Sequence, residues 1–298
     1  MRKEFGNVTK TTQKWGWSKV TGLRAATCAL VALCAVGVFA GDVATWTGNA
    51  GDNRWDNKVN WEPQVVPNSA YDVHIPSGDW RIIRAEGSPY YGKFYIDDGS
   101  GTVTLEGEGA GTTLQPATSA DFRIGEGRQF VVANGLTMKL SYSTPITAGV
   151  MRVRSGGSVI FNNENVVIST IGGSARIFVE GGTFLNEKTQ LNITNNAEIV
   201  VSDGLMHTRY YRVYGPDSPG EKGALLRITG GTLWNDYSFA CFSRIYPGGR
   251  FENLGGTILW GAEKRSDTDE RYAKLSNESG NYGSGEDIET RAFRRQKR

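Results

Sequence analysis

The chain has 298 residues, 39 of them glycine, with 33 basic against 31 acidic side chains and only three cysteines. That near-neutral balance excludes a protein held on nucleic acid by bulk charge, and so few cysteines exclude a disulfide-stapled scaffold. With only 21% charged residues, a glycine-rich chain of this length reads as turn-rich and all-β.

Residues 1–40 have the layout of a secretory signal peptide. Lys10, Lys14, Lys19 and Arg24 lead into a small-apolar run from Ala25 to Ala40, with Val38 and Ala40 at the −3 and −1 positions before Gly41. An uncleaved membrane anchor is the rival reading, but the run falls short of the roughly 20 residues that span a bilayer as a helix. Removal of this segment takes away six basic residues and one acid, leaving 27 basic against 30 acidic side chains, a net charge of −3. Cys28 and Cys34 leave with it. Cys241 is then the single cysteine of the mature chain and reads as a small core residue.

Residues 41–83 are rich in tryptophan, with Trp46, Trp55, Trp61 and Trp80 in one short stretch. They read as an N-terminal cap whose indoles cover an apolar end. From 84 to 261 a Gly-centred turn recurs about every 24 residues. The best copies are Gly156-Gly157-Ser158, Gly181-Gly182-Thr183, Gly230-Gly231-Thr232 and Gly255-Gly256-Thr257, with degenerate members at Asp203-Gly204, Asn134-Gly135, Gly111-Thr112 and Gly87-Ser88. Strand-like runs separate these turns: Thr102–Leu105, Gln129–Val132, Met151–Arg154, Arg176–Val179, Ile199–Val201 and Leu225–Ile228.

A fixed period of this length means that each unit buries its apolar face only by stacking on its neighbours. The expected fold is a right-handed parallel β-helix of about eight coils. Asn186, Asn235 and the pair Asn162-Asn163 trail the turns and read first as left-handed corner residues. Stacked asparagines inside the coil are the other reading. The run His207–Tyr214 into Gly215–Gly220 predicts one longer coil with a turn-rich excursion. Residues 262–298 carry 17 charged side chains among 37 and almost no aliphatic ones, which predicts a disordered tail.

Candidates for chemistry are scattered. Asp97-Asp98-Gly99 reads as a turn, Glu106 and Glu108 as solvent-facing acids, and Asp121 near Arg123 as a surface ion pair. Asp52-Asn53 and Asp56-Asn57 offer oxygens to a hard cation such as Ca²⁺, although turn-forming Asx residues account for them too. His74 and His207 lie far apart in sequence, so no zinc set is expected. Exposed aromatics are the better binding signal. Trp234 and Trp260 both follow Gly-Gly-Thr turns, and with Tyr210, Tyr211 and Tyr214 they are expected to form a flat platform for sugar rings.

The run Thr45-Trp46-Thr47-Gly48, Trp55, Asn60-Trp61, Pro67 and Asp72-Val73-His74-Ile75 resembles the start of large exported bacterial repeat proteins. The Gly-Gly-Thr turns resemble the β-strand repeats of autotransporter passengers. That resemblance implies a parallel β-helix and a family of adhesins, surface-layer components and sugar-cleaving enzymes. The expected function is therefore a non-catalytic secreted or cell-surface protein, structural or adhesive, with a polysaccharide or another surface protein as partner. A β-helical polysaccharide lyase or glycoside hydrolase is the alternative, and a passenger piece of a larger surface protein is the third.

Overall fold

The computed structural model describes residues 42–85, 87, 90–109, 111–117, 121–140, 145–161, 168–235, 243–260, 273–276 and 280–282. The segment read as a signal peptide and Cys241 lie outside the described residues. Within them the chain is a β-solenoid whose coils place their strands on three faces.

The first face is a ladder of eight parallel strands: Trp80–Arg84, Gly101–Gly107, Arg128–Ala133, Val150–Arg154, the opening of Arg176–Ile193, the opening of Glu198–Val213, Leu225–Ile228 and Arg250–Asn253. Side chains alternate in and out along each strand. In-register pairing therefore lines up Val103, Phe130, Met151, Ile177, Ile199, Leu226 and Phe251 as one inward column, all fully buried. The eight strands give eight coils, as the period predicts.

The second face runs from Tyr90–Tyr91 through Thr112–Pro116, Leu136–Leu140 and Ser158–Phe161 to Thr232–Asn235 and Thr257–Trp260. Its inward column is Leu114, Met138, Val159, Phe184, Met206, Leu233 and Ile258. The third face begins with Asp42–Trp46, Tyr71–Ile75, Phe94–Ile96 and Phe122–Ile124. It continues through Ile146, Ile168–Ile171 and the ends of the two long strands to Arg244–Ile245. Arg176–Ile193 and Glu198–Val213 serve all three faces in turn, bending where their mutual register shifts.

The recurrent glycine turns all stack at one corner, between the first and second faces. Adjacent coils approach there to the spacing of hydrogen-bonded strands, about 4.8 Å, which leaves no room for a side chain at Gly157, Gly182, Gly204 or Gly256, while Gly87 and Gly111 stand in open space. A Cβ on Gly182 would sit 2.5 Å from the Arg154 carbonyl oxygen. Gly204 combines the same crowding, 2.2 Å from the Gly182 oxygen, with a left-handed φ of +80°. The period is thus a packing requirement at one edge.

Three indoles close the N-terminal end. Trp46, Trp55 and Trp61 are buried, and Trp61 meets the other two edge-on at 5.0 and 4.7 Å. Trp61 Nε1 donates to the Trp55 carbonyl at 2.7 Å. Trp55 stacks parallel on Phe94, which passes the contact on to Phe122 and Phe130. The same segment supplies the first strands of the third face, so residues 42–83 both cover the solenoid and begin it.

Two details differ from the sequence reading. Asn186 and Asn235 are buried strand residues, placed in one inward column with Thr208 between them; the left-handed corners use Asn53, Asn134 and Asn195 instead. Asn162 and Asn163 lie outside the described residues. The run His207–Val213 is strand that bends from the second face to the third between Thr208 and Tyr210, and the excursion is confined to 214–223, at the corner from the third face to the first. The tail 262–298, read as disordered, lies outside the described residues except for two short backbone strands. Ala273–Ser276 and Gly280–Tyr282 pair antiparallel with the last strands of the second and first faces.

Candidate functional site

The expected aromatic platform does not assemble. Tyr211 is fully buried and stacks on Phe251, and Tyr210 is buried as well, both on the third-face part of Glu198–Val213. They leave the candidate surface. Trp234 does point outward, from the second face, half-buried and stacked on His207 of the previous coil at 4.1 Å with ring planes 4° apart. In register the residue beside Trp234 on the following coil is Leu259, while Trp260 pairs with Asn235. The Trp260 side chain lies outside the described residues. Tyr214 stands elsewhere, at the corner leading to the first face, stacked on Tyr246 at 4.5 Å.

Most of the acids flagged in the sequence are engaged with cations, many of them about one coil away. Arg81 donates to Glu106 at 2.7 Å, Arg123 reaches both oxygens of Asp98 at 2.8 Å, and Lys93 pairs with Asp72 at 3.2 Å. Arg54 holds Glu108 by a two-pronged contact, and Arg84 pairs with Asp56. The partner of Arg123 is therefore Asp98 and not Asp121. His74 Nδ1 contacts Asp97 at 2.9 Å. The Glu126 backbone N–H, with Arg123, lowers the Asp98 pKa, and the Arg54 hydrogen bond does the same for Glu108.

The cap turn is satisfied internally. Asp52 accepts from the Asn57 and Asn60 side-chain amides at 2.7 and 2.6 Å and from the Arg54 N–H at 3.0 Å, and its pKa falls to about 2. Asn60 completes its own bonding through the Ala50 N–H and the Arg54 carbonyl. Asp52 and Asn57 thus accept from donors of the turn itself, which is the Asx reading of that stretch, while Asp56 is held by Arg84 and the Ala85 N–H. Among the described residues no three His, Cys, Asp or Glu side chains group as metal ligands.

The first face carries a second lattice of charges that sequence reading missed. Arg152 lies 4.5 Å over the Phe178 ring and contacts Glu180; Arg154 adds a 3.6 Å contact to the same carboxylate. Further along, Arg227 Nε donates to Glu252 at 2.7 Å and reaches Glu198 at 3.5 Å. Arg176 meets Glu198 only at 3.9 Å, and Arg250 meets Glu252 only at 4.0 Å. Over this lattice lies a cleft of about 210 Å³ walled by Arg176, Glu198, Lys222, Arg227 and Arg250. A second, of about 440 Å³, continues from Arg176 past Val150 to Gln129 and Arg128.

Arg128 itself is buried beside that second cleft, donating to the Asp97 and Gly78 carbonyls at 3.3 Å, and desolvation lowers its pKa. One signal in the sequence pointed here: Arg128, Arg176, Glu198 and Arg250 each follow a third-face turn and open a first-face strand.

Comparison of the chain with known protein families, with curated proteins and with solved structures finds no match. The fold and its surface are what bear on function. Among the described residues no helix is long and apolar enough to cross a membrane.

Proposed function

We propose that the chain is a secreted or cell-surface solenoid with a structural or adhesive role, which contacts glycans and does not cleave them. The observation behind this reading is the pairing of acids with cations on neighbouring coils. Arg81–Glu106, Arg123–Asp98, Arg152–Glu180 and Arg227–Glu252 each bridge adjacent coils. Such rows hold side chains in fixed, repeating positions along the axis. Each exposed pair contributes little alone, so their main effect is a regular, hydrated surface.

The arrangement of residues 1–40 supports export, and Trp234, half-buried on the second face, is the aromatic side chain tested for a sugar contact. The test has two parts. The chain expressed with its own leader should appear outside the cytoplasm, shortened at Ala40 by N-terminal sequencing. Retention on immobilised glycans should be lost in Trp234→Ala with an unchanged far-UV spectrum. A full-length product kept in the cytoplasm overturns export. Retention that survives Trp234→Ala overturns the stacking role.

A second reading is a β-helical lyase or glycoside hydrolase. It draws on the narrower cleft, where a carboxylate, Glu198, stands among Arg176, Arg227 and Lys222, and on Glu126, which lines the wider one beside Arg128 and Arg176. Hydrolysis needs two carboxyl groups within about 5 to 9.5 Å of each other, and Glu198 is the only acid lining the narrower cleft among the described residues.

A further inference from the structure

The two clefts on the first face share Arg176 and follow one column of in-register residues: Gln129, Val150, Arg176, Glu198, Leu225 and Arg250. We infer that this column is the floor of an elongated binding groove for an acidic polysaccharide, a carboxylated glycan lying parallel to the solenoid axis. The inference rests on the reading of the surface as glycan-contacting and names the ligand class and the site.

Charge sets the first requirement on the ligand. Five cations (Arg128, Arg176, Lys222, Arg227 and Arg250) and two carboxylates (Glu126 and Glu198) line the two clefts, so the site is short of negative charge. Arg176 and Arg250 each have one ion-pair contact, at 3.9 and 4.0 Å, beyond good hydrogen-bonding distance. Most of their guanidinium N–H groups remain available, and the guanidinium fork matches a carboxylate. Lys222 adds an exposed point charge at the rim, on the excursion that follows Tyr214.

Spacing sets the second. Arg176 and Arg250 occupy the same column three coils apart, about 14 Å at the strand spacing of 4.7–4.9 Å. A linear polymer with acid groups at regular intervals can meet both. A single small anion cannot.

Glu198 sets the third. It lies between the two arginines in the column, with its contacts to Arg176 and Arg227 at 3.9 and 3.5 Å. A ligand seated across it must donate hydrogen bonds to a carboxylate while presenting acids to the cations on either side. Sugar hydroxyls donate, and uronic-acid carboxylates supply the charge. A phosphodiester backbone carries charge at every step and has few donors to offer Glu198. The floor between the charges, where Val150 and Gln129 are partly exposed, is mixed apolar and amide, which suits a sugar ring more than a fully ionic strip.

The experiment is affinity electrophoresis of the purified full chain through gels containing polygalacturonate, dextran or double-stranded DNA. Polygalacturonate should retard the protein, less so at higher salt, and dextran should retard it only through contacts such as Trp234. The double variant Arg176→Gln/Arg250→Gln should weaken the polygalacturonate interaction at least tenfold with an unchanged far-UV spectrum. Lys222→Gln, on an exposed excursion where folding is not at stake, should weaken it a few-fold.

Absence of retardation by polygalacturonate, or equal retardation of wild type and double variant, overturns the groove. Binding to DNA that the same variants weaken, without binding to polygalacturonate, replaces the glycan with a phosphodiester polymer and also overturns it. Neutral-glycan retention through Trp234 that persists while polygalacturonate fails would leave the adhesive reading standing without this groove. Loss of both would remove the two together.

Discussion

The glycine corner predicts opposite outcomes for two chemically identical substitutions. Gly157 has an ordinary φ, so an alanine there meets no left-handed strain, yet its Cβ would lie 2.3 Å from the Val132 carbonyl oxygen and 2.8 Å from the Ala133 nitrogen. Both obstacles are backbone of the previous coil and cannot rotate away. Relief needs a shift of about 1 Å between coils, enough to break weak backbone hydrogen bonds. The Asn134 N–H to Ser155 carbonyl bond, at 3.2 Å, and the Gly135 N–H to Gly156 carbonyl bond, at 2.8 Å, cross that gap.

Loss of two such bonds costs about 2 kcal/mol. The smaller unfolded-state entropy of alanine returns about 0.4–1 kcal/mol, and the net loss is on the order of 1–2 kcal/mol. At Gly111, in the same turn series, an added Cβ would meet nothing within 4 Å, and the backbone has no left-handed φ. Gly111→Ala should therefore be neutral or stabilising by about 0.4–1 kcal/mol. Urea unfolding followed by far-UV circular dichroism gives both midpoints. If Gly157→Ala proves no less stable than Gly111→Ala, close coil approach is not the reason for the repeat.

Trp55→Ala should remove the link between the cap indoles and the Phe94 column and cost about 3–5 kcal/mol, seen as a lower unfolding midpoint and a loss of near-UV signal. Asn235→Leu should be neutral or stabilising by roughly 1 kcal/mol, because both polar side-chain atoms are buried without partners; a large loss in thermal melting would show that the amide is needed. Asp52 has a folded pKa of about 2, below its ordinary 3.8. Its contribution to the cap is complete above about 3.8 and is lost as pH falls towards 2. Cap tryptophan fluorescence should change over that window, and Asp52→Asn should flatten the part of the change that Asp52 causes.

Much of the architecture was readable because one corner repeats and one face alternates cleanly. The strand-like runs found in the sequence, from Thr102–Leu105 to Leu225–Ile228, all belong to the first face. The third face was harder to see. Phe94–Ile96 and Phe122–Ile124 are only three residues long, too short to show a period of two. The second face hid behind Asn186, Thr208 and Asn235, polar residues in an inward column, which resemble turn residues when read singly.

The site was less readable than the fold. Counting from the Gly-Gly doublets put Trp234 and Trp260 on one side, but the doublets at Gly230 and Gly255 differ in their offset to the tryptophan by one residue. In a strand, one residue exchanges the two faces. The groove went unseen because its members are spaced by whole coils. Arg176, Glu198 and Arg250 become neighbours in a column only once the register is known.

The claim that this surface binds glycans without cleaving them meets its most direct test in turnover. The full chain would be incubated with a panel of neutral and acidic polysaccharides, with and without Ca²⁺, and followed for new reducing ends and unsaturated products. No product from any polymer, including one retained in the groove, is the predicted result. Product that accumulates with wild type and disappears with Glu198→Gln would contradict it and make the groove a catalytic site.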